Sequence, residues 1–254
     1  MLPFTNRAVA RTLFAALSLA AAAGHAQTVA FPGSGWLPLT QAGAVLDDPF
    51  DGGVAAYLDV VGDRSAPGAF VASDANYLYL RLRVADSPWH TPVHHYYASL
   101  WACLFDTDQD PQTYELLAGL DGIAGPNTVD LDLNTSTTTA DDVSDPADTP
   151  PLTTYDAALN AQYGPAGSAF GGATDYFVDW ALAWNDLKAG GMPKGAAFRL
   201  VCGTSTDAAS LTAGDVLDAG SGSRSFSADL SATLFCDDNG CFYDTVFSDG
   251  FEGP

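Results

Sequence analysis

Basic residues are scarce in this chain of 254: nine Lys and Arg stand against 31 Asp and Glu, a formal net charge of −22. That imbalance argues against nucleic acid and anionic membrane surfaces as partners. Glutamate is almost missing, with Glu115 and Glu252 the only two, so 29 of the 31 acids are Asp. Asp favours turns, loops and oxygen-rich cation sites over helical surfaces. Helix-period patterning is nearly absent, and with 25 Gly and 15 Pro the chain reads as all-β with many loops. There is no G-x-S-x-G, no H-E-x-x-H and no Cys/His nucleophile pattern. The abundance of Asp makes any carboxylate pair uninformative, so a non-catalytic protein is expected.

What is present begins with a leader. Residues 1–26 carry Arg7 and Arg11, then LFAALSLAAAAG, then the small-residue site Gly24-His25-Ala26. This predicts a cleaved signal peptide, the apolar run being shorter than the ~20 residues a transmembrane helix needs. Cleavage removes two arginines and no acid, leaving seven basic residues against 31 acidic, a net charge of −24. No later segment is long and apolar enough to span a membrane, so a secreted or cell-surface location is expected. An oxidising compartment allows two disulfides from four cysteines. Cys236-Asp-Asp-Asn-Gly-Cys241 brackets an Asn-Gly turn, the usual two-residue hairpin signal, and predicts one bridge. Cys103 and Cys202 both fall in predicted strands and offer a second, with free buried thiols as the alternative.

Tyr77 to Val84 alternates Leu78, Leu80, Leu82 and Val84 with Tyr77, Tyr79, Arg81 and Arg83. Period-2 alternation marks a strand with one aliphatic face and one polar-aromatic face. Tyr96 to Phe105 reads as a second long strand, reached through a connection holding His90, His94 and His95. Further strands are expected over Ala55–Val61, Leu116–Ile123, Thr128–Leu133, Asp175–Trp184, Ala196–Cys202 and around Phe226–Leu234. Asn185–Lys188 should form one helical turn. Residues 134–154, rich in Thr, Asp and Pro, read as a low-complexity surface loop with nothing to bury. The expected organisation is one antiparallel β-sandwich, jelly-roll-like, of about eight or more strands over residues 27–235. A disulfide hairpin and tail follow over 236–254.

YLYLRLRV, Trp101 in a strand ending in Asp106-Thr107-Asp108, YFVDWALAWNDL and FRLVCGTS together resemble carbohydrate-binding module family 9-like and DOMON-like sandwiches. They are most similar to secreted bacterial proteins with that fold, and the resemblance covers about residues 54 to 220. It implies sugar binding, often with structural calcium, or haem binding as in the electron-carrying DOMON branch. For haem, Met192 or one of His90, His94 and His95 would be the axial ligand. The segment Val246 to Glu252 resembles a short "IFxDGFE" tail that closes many exported bacterial proteins.

The strongest chemical feature is Asp106-Thr-Asp108-Gln-Asp110-Pro-Gln-Thr-Tyr-Glu115. Alternating aspartates at a strand end can turn several oxygens to one point, as calcium requires. An EF-hand is excluded because Pro111 replaces its glycine and Glu115 comes two positions early. A solvated acidic loop is the alternative. For glycan stacking the available rings are Trp36, Trp89, Tyr77, Tyr79, Trp101 and Trp180, with core packing the competing role of Trp101 and Trp180. The three histidines fit no zinc spacing. The expected function is an exported module binding polysaccharide or glycan with a calcium-stabilised loop, a structural or adhesive surface protein being the alternative.

Overall fold

A computed structural model describes residues 28–218 and 224–244. The leader, with its cleavage site, and the C-terminal tail lie outside the described residues. In chain order come β1 (Leu37–Pro38), β2 (Thr40–Gln41), β3 (Ala44–Val45), β4 (Ala69–Ser73) and β5 (Tyr77–Val84). A small hairpin follows, β6 (Trp89–His90) and β7 (His95–Tyr96), then β8 (Leu100–Asp106), β9 (Leu116–Asp121), β10 (Thr128–Leu133) and β11 (Thr153–Asp156). After the turn α1 (Ala157–Asn160) lie β12 (Ala161–Pro165), β13 (Tyr176–Ala183), α2 (Trp184–Ala189) and β14 (Arg199–Ser205). The turn α3 (Phe226–Asp229) and the hairpin β15 (Leu234–Asp237) and β16 (Gly240–Tyr243) end the described chain.

The protein is all-β. Two five-stranded antiparallel sheets, ordered β1-β4-β5-β13-β12 and β11-β10-β9-β8-β14, hold most of it. The aliphatic face of β5 (Leu78, Leu80, Leu82) and the facing side of β13 (Val178, Trp180, Leu182) meet alternate residues of the other sheet. Those are Trp101, Cys103 and Phe105 of β8 and Leu116, Ala118 and Leu120 of β9, all in one buried cluster. Strand β8 is buried along its whole length because both its faces are covered. Leu100, Ala102 and Leu104 point the other way, into a second cluster closed by Val143, Leu211, Val216 and Phe226. Gly119 pairs with Ala102 across the ladder, and a Cβ there would meet that of Ala102 at 2.5 Å.

Several expectations change. Residues 134–154 are not an unburied loop: Val143 is fully buried and Ala147 nearly so, both covering the outer face of β8 and β9. Buried beside them, Asp145 satisfies part of the loop's polar backbone. Asp145 accepts from the Thr138 and Thr139 amides and from Asn134 Nδ2. Ala55–Val61 is a turn ending in a single bridge from Val60 to Val84, since Leu58 and Asp59 both bond back to the Ala55 carbonyl. Phe226–Leu234 is not one strand. Ser225 caps α3 by accepting from the Ala228 amide, so pairing begins only at Leu234. The expected Tyr96–Phe105 strand breaks at residues 97–99, and the strand expected over Ala196–Cys202 runs Arg199–Ser205.

Both disulfides form. Cys103 and Cys202 face each other directly between β8 and β14, closing a separation of 99 residues. Cys236–Cys241 spans the β15–β16 hairpin, whose two-residue connection is Asp238-Asn239 rather than the expected Asn-Gly, because Gly240 pairs with Asp237 in the ladder. That hairpin is not a separate appendage: Cys236 is fully buried in the main core, and Ser73 Oγ donates to the Asp237 carbonyl at 2.6 Å. Among the described residues no helix is long and apolar enough to cross a membrane.

Candidate functional site

The outward face of β5 is less open than its alternation suggests. Residues 28–36 lie across it, with Val29, Phe31 and Trp36 packed around Tyr79 and Ala181. Tyr79 is therefore 2% exposed, and its hydroxyl donates to Asp74 Oδ2 at 2.7 Å. Trp101 and Trp180 are fully buried between the sheets. The Trp101 indole N–H donates to the Tyr57 carbonyl at 2.9 Å, while that of Trp180 has no acceptor. Trp101 and Trp180, on inward strand positions, and Tyr79, covered on the outward face by residues 28–36, are thus buried and drop out as sugar contacts. Trp36 is half-buried, its N–H bonded to the Pro32 carbonyl and the Arg81 guanidinium stacked 3.9 Å over its ring. Tyr77 is half-buried against Tyr79.

Trp89 has a different setting. It begins the β6–β7 hairpin, opposite Tyr96, and its ring stacks on Tyr163 with centroids 5.4 Å apart and planes 12° from parallel. Tyr96 meets the same ring edge-on at 5.2 Å. Two aromatic contacts at right angles leave the indole little freedom to reorient, and such pairs each contribute roughly 0.5–1.5 kcal/mol. Beside the ring lies a cleft of about 320 Å³ lined by Trp89, His94, His95, Asn127, Asp156 and Ala161 among others. Asn127 anchors its floor, accepting from the Tyr96 amide and donating to the Gly122 and Ala124 carbonyls. The tip residues Thr91 to His95 are exposed, and His94 takes a left-handed conformation there (φ 57°). Tyr163, exposed at 39%, was not singled out from the sequence, where it sits among small residues with no alternation to mark it.

The residues considered for haem stand in unlike settings. Met192 is buried in the main core, whereas His94 and His95 are exposed on the hairpin.

The acidic loop folds on itself. Asp106, Asp108 and Glu115 bring three ligand atoms within 4.8 Å of one another and could hold a metal; Asp110 is not in that group. Asp110 instead accepts the Gln112 amide. Most oxygens of the other three are already engaged. Asp106 pairs with Arg199 and accepts the Gln109 amide, Asp108 accepts the Asp110 amide, and Glu115 accepts from Thr107 and Thr113. Burial raises Asp106 and Glu115 above the usual carboxylate range, with Arg199 pulling Asp106 back down and the Thr107 amide doing the same for Glu115.

A second acidic group was not foreseen, because its members lie at positions 48, 59 and 215. Asp48 is 3% and Asp59 0% exposed, and Asp48 Oδ2 and Asp59 Oδ1 are buried without a hydrogen-bond partner. Burial, reinforced by the charges of Asp215, Asp218 and Asp59, pushes Asp48 up to about 9. Burial likewise lifts Asp59 to about 6 and Asp215 to about 7.

No protein-family model, curated protein or solved structure matches this chain.

Proposed function

We propose that the chain is an exported, non-catalytic β-sandwich module that binds a polysaccharide or glycan through the Trp89 hairpin, in the manner the family 9-like and DOMON-like resemblance implies. The observation that carries this reading is Trp89 itself, a half-buried indole held between Tyr163 and Tyr96 at the edge of a polar-rimmed cleft. Sugar rings dock their C–H faces on such platforms and their hydroxyls on neighbouring polar groups, a mix of apolar floor and few polar contacts usual for ligand clefts. A ring already fixed loses little freedom on binding. His94, His95 and Asp156 supply the polar rim. Trp36, like Trp89, has one ring face already occupied, in its case by the Arg81 guanidinium.

Export is supported by the leader pattern and by two disulfides. Calcium at Asp106, Asp108 and Glu115 belongs to the same reading, in competition with Arg199 for Asp106. The test is retention on insoluble polysaccharides together with a glycan array, comparing the mature chain with Trp89→Ala and Tyr163→Ala. Binding that falls tenfold or more in Trp89→Ala supports the site. Silence on both platforms overturns the glycan reading and leaves the structural or adhesive alternative. Loss of binding in Trp36→Ala with Trp89→Ala unaffected moves the site to the other sheet face.

A further inference from the structure

The cleft beside Trp89 is rich in hydrogen-bond acceptors and poor in donors. Asn127 has no N–H left to offer, since Nδ2 donates to the Gly122 and Ala124 carbonyls, each at 3.1 Å. His95 Nδ1 stands 2.5 Å from the Tyr96 carbonyl. A carbonyl only accepts, so the hydrogen sits on Nδ1, and Nε2 of the neutral ring is an acceptor. Asp156 ends β11 opposite Thr128 and caps α1, its Oδ1 accepting the Ala158 amide at 2.9 Å. Ionised, its carboxylate is acceptor-only as well.

Nothing cationic offsets that carboxylate. Neither Lys nor Arg is among the described residues that line the cleft. The ion pairs among the described residues, Arg81–Asp179, Lys194–Asp238 and Arg199–Asp106, leave Asp156 out. The arginines of the adjacent sheet point away from it. Arg81 pairs with Asp179 on the outward face, whereas Tyr163 pairs with Val178, an inward residue of the main core, and meets Trp89 on that side.

The cleft therefore sets aromatic rings beside acceptors and one uncompensated negative charge. Trp89 and Tyr96, with centroids 5.2 Å apart, form its aromatic side. A cation within about 6 Å of such a ring is attracted to its face. An ammonium also makes charge-assisted hydrogen bonds to a carboxylate, roughly twice as strong as neutral ones. A sugar hydroxyl donates to the same acceptors but gains neither effect. A uronate or sulfated sugar brings the wrong sign, against Asp156 and against a mature chain with seven basic residues and 31 acidic.

We propose that the Trp89 cleft selects amino sugars with a free amine, bound as ammonium, a step that rests on the glycan reading of this cleft and adds the ligand's charge to it. With Oδ1 held on the Ala158 amide, Asp156 Oδ2 is the oxygen that takes the ammonium. The sugar's C–H face lies on the aromatic side, and its hydroxyls donate to acceptors such as His95 Nε2.

The test is calorimetry of the mature chain with oligosaccharides of equal length built from glucosamine, N-acetylglucosamine, glucose or a uronate, at low and high salt. Short chains keep a polycation from simply coating an acidic surface. Asp156→Asn removes the charge and keeps the cap, because Asn and Asp cap helices about equally well. Asp110→Asn controls for general acidity. Asp110 is exposed on the loop after Asp106, at the other end of β8 from the Leu100–Asp121–Thr128–Asp156 row. Wild type is expected to bind the glucosamine oligomer roughly tenfold more tightly than its N-acetyl and glucose counterparts, with the uronate weakest. High salt narrows the gap. Asp156→Asn is expected to bring the ratio near one, Asp110→Asn to keep it, and Trp89→Ala to weaken every oligomer.

Equal affinity of wild type for the amine and neutral oligomers overturns the proposal and leaves the glycan reading standing. That comparison needs no variant. A preference that survives Asp156→Asn also overturns it, as does one lost equally in Asp110→Asn, which assigns it to the acidity of the whole surface. Glucosamine binding undiminished in Trp89→Ala places the amine elsewhere and has the same consequence. Binding of none of the oligomers overturns the proposal together with the glycan reading.

Discussion

Arg81 and Asp179 form a two-pronged ion pair across adjacent strands β5 and β13. Nε donates to Oδ1 at 2.7 Å and Nη2 to Oδ2 at 2.8 Å. The Asp179 side chain is 2% exposed and that of Arg81 16%, and Trp36 and Phe177 stack on either side of the guanidinium at 3.9 and 4.3 Å. Removing one partner of a buried pair leaves the other uncompensated, at a cost of about 3–5 kcal/mol. Arg81→Leu is therefore expected to lose about 3 kcal/mol, the low end, because Gln162 still donates to Asp179. Chemical denaturation of Arg81→Leu, Asp179→Leu and the double variant measures this. A double variant no more stable than Arg81→Leu would sink the argument.

The two disulfides should differ in worth. Loop-closure entropy grows with the residues enclosed, giving about 4.7 kcal/mol for a loop near 100 residues and about 2 kcal/mol for one of six. Cys103–Cys202 encloses a separation of 99 and Cys236–Cys241 one of 5. Replacing Cys103 and Cys202 by Ser is expected to cost roughly twice as much as replacing Cys236 and Cys241. Denaturant midpoints of the two double variants decide it, equal losses counting against the entropic account.

Trp101 and Trp180 occupy equivalent inward positions but differ at the indole nitrogen. Trp101→Phe deprives the Tyr57 carbonyl of its donor, whereas Trp180→Phe removes a buried N–H that has no acceptor. Both leave space in the core. The hydrogen bond adds about 1 kcal/mol to the cost at Trp101. Trp180→Phe proving the more damaging of the two would contradict this reading.

Asp132 on β10 sets a pH dependence. It is 4% exposed, and burial, with Asp130 and Asp121 beside it, lifts its carboxyl to about 7. The folded state then holds a proton that the unfolded chain releases near pH 4, so stability falls as pH rises from there through 7. Between pH 5 and 8 the loss is on the order of 2 kcal/mol. Asp132→Asn is expected to match wild type near pH 4 and to exceed it at pH 8. Melting curves across that range check the sign, and a variant less stable than wild type at pH 8 would reverse it.

Local patterns made much of this legible. Alternation in YLYLRLRV and TVDLDL predicted β5 and β10 to the residue, because a strand's side-chain period is written in neighbouring positions. The spacing of Cys236 and Cys241 announced their hairpin for the same reason. The acidic loop at Asp106 was visible as a cluster, though not that Arg199 and nearby amides would occupy it.

What adjacency could not reveal is which surfaces end up facing each other. Alternation marks two faces of β5 but not that residues 28–36 would cover the polar one, nor that β5 and β8 would join opposite sheets. Val143 looked like part of a polar loop and is a buried plug, because one side chain needs only a cavity of its own size. Trp89 gained its fixed orientation from Tyr163, more than seventy residues away in the chain. Asp48, Asp59 and Asp215 became neighbours only through long-range packing, which neither composition nor spacing could reveal, and that packing is what lifts their carboxyls above the usual range.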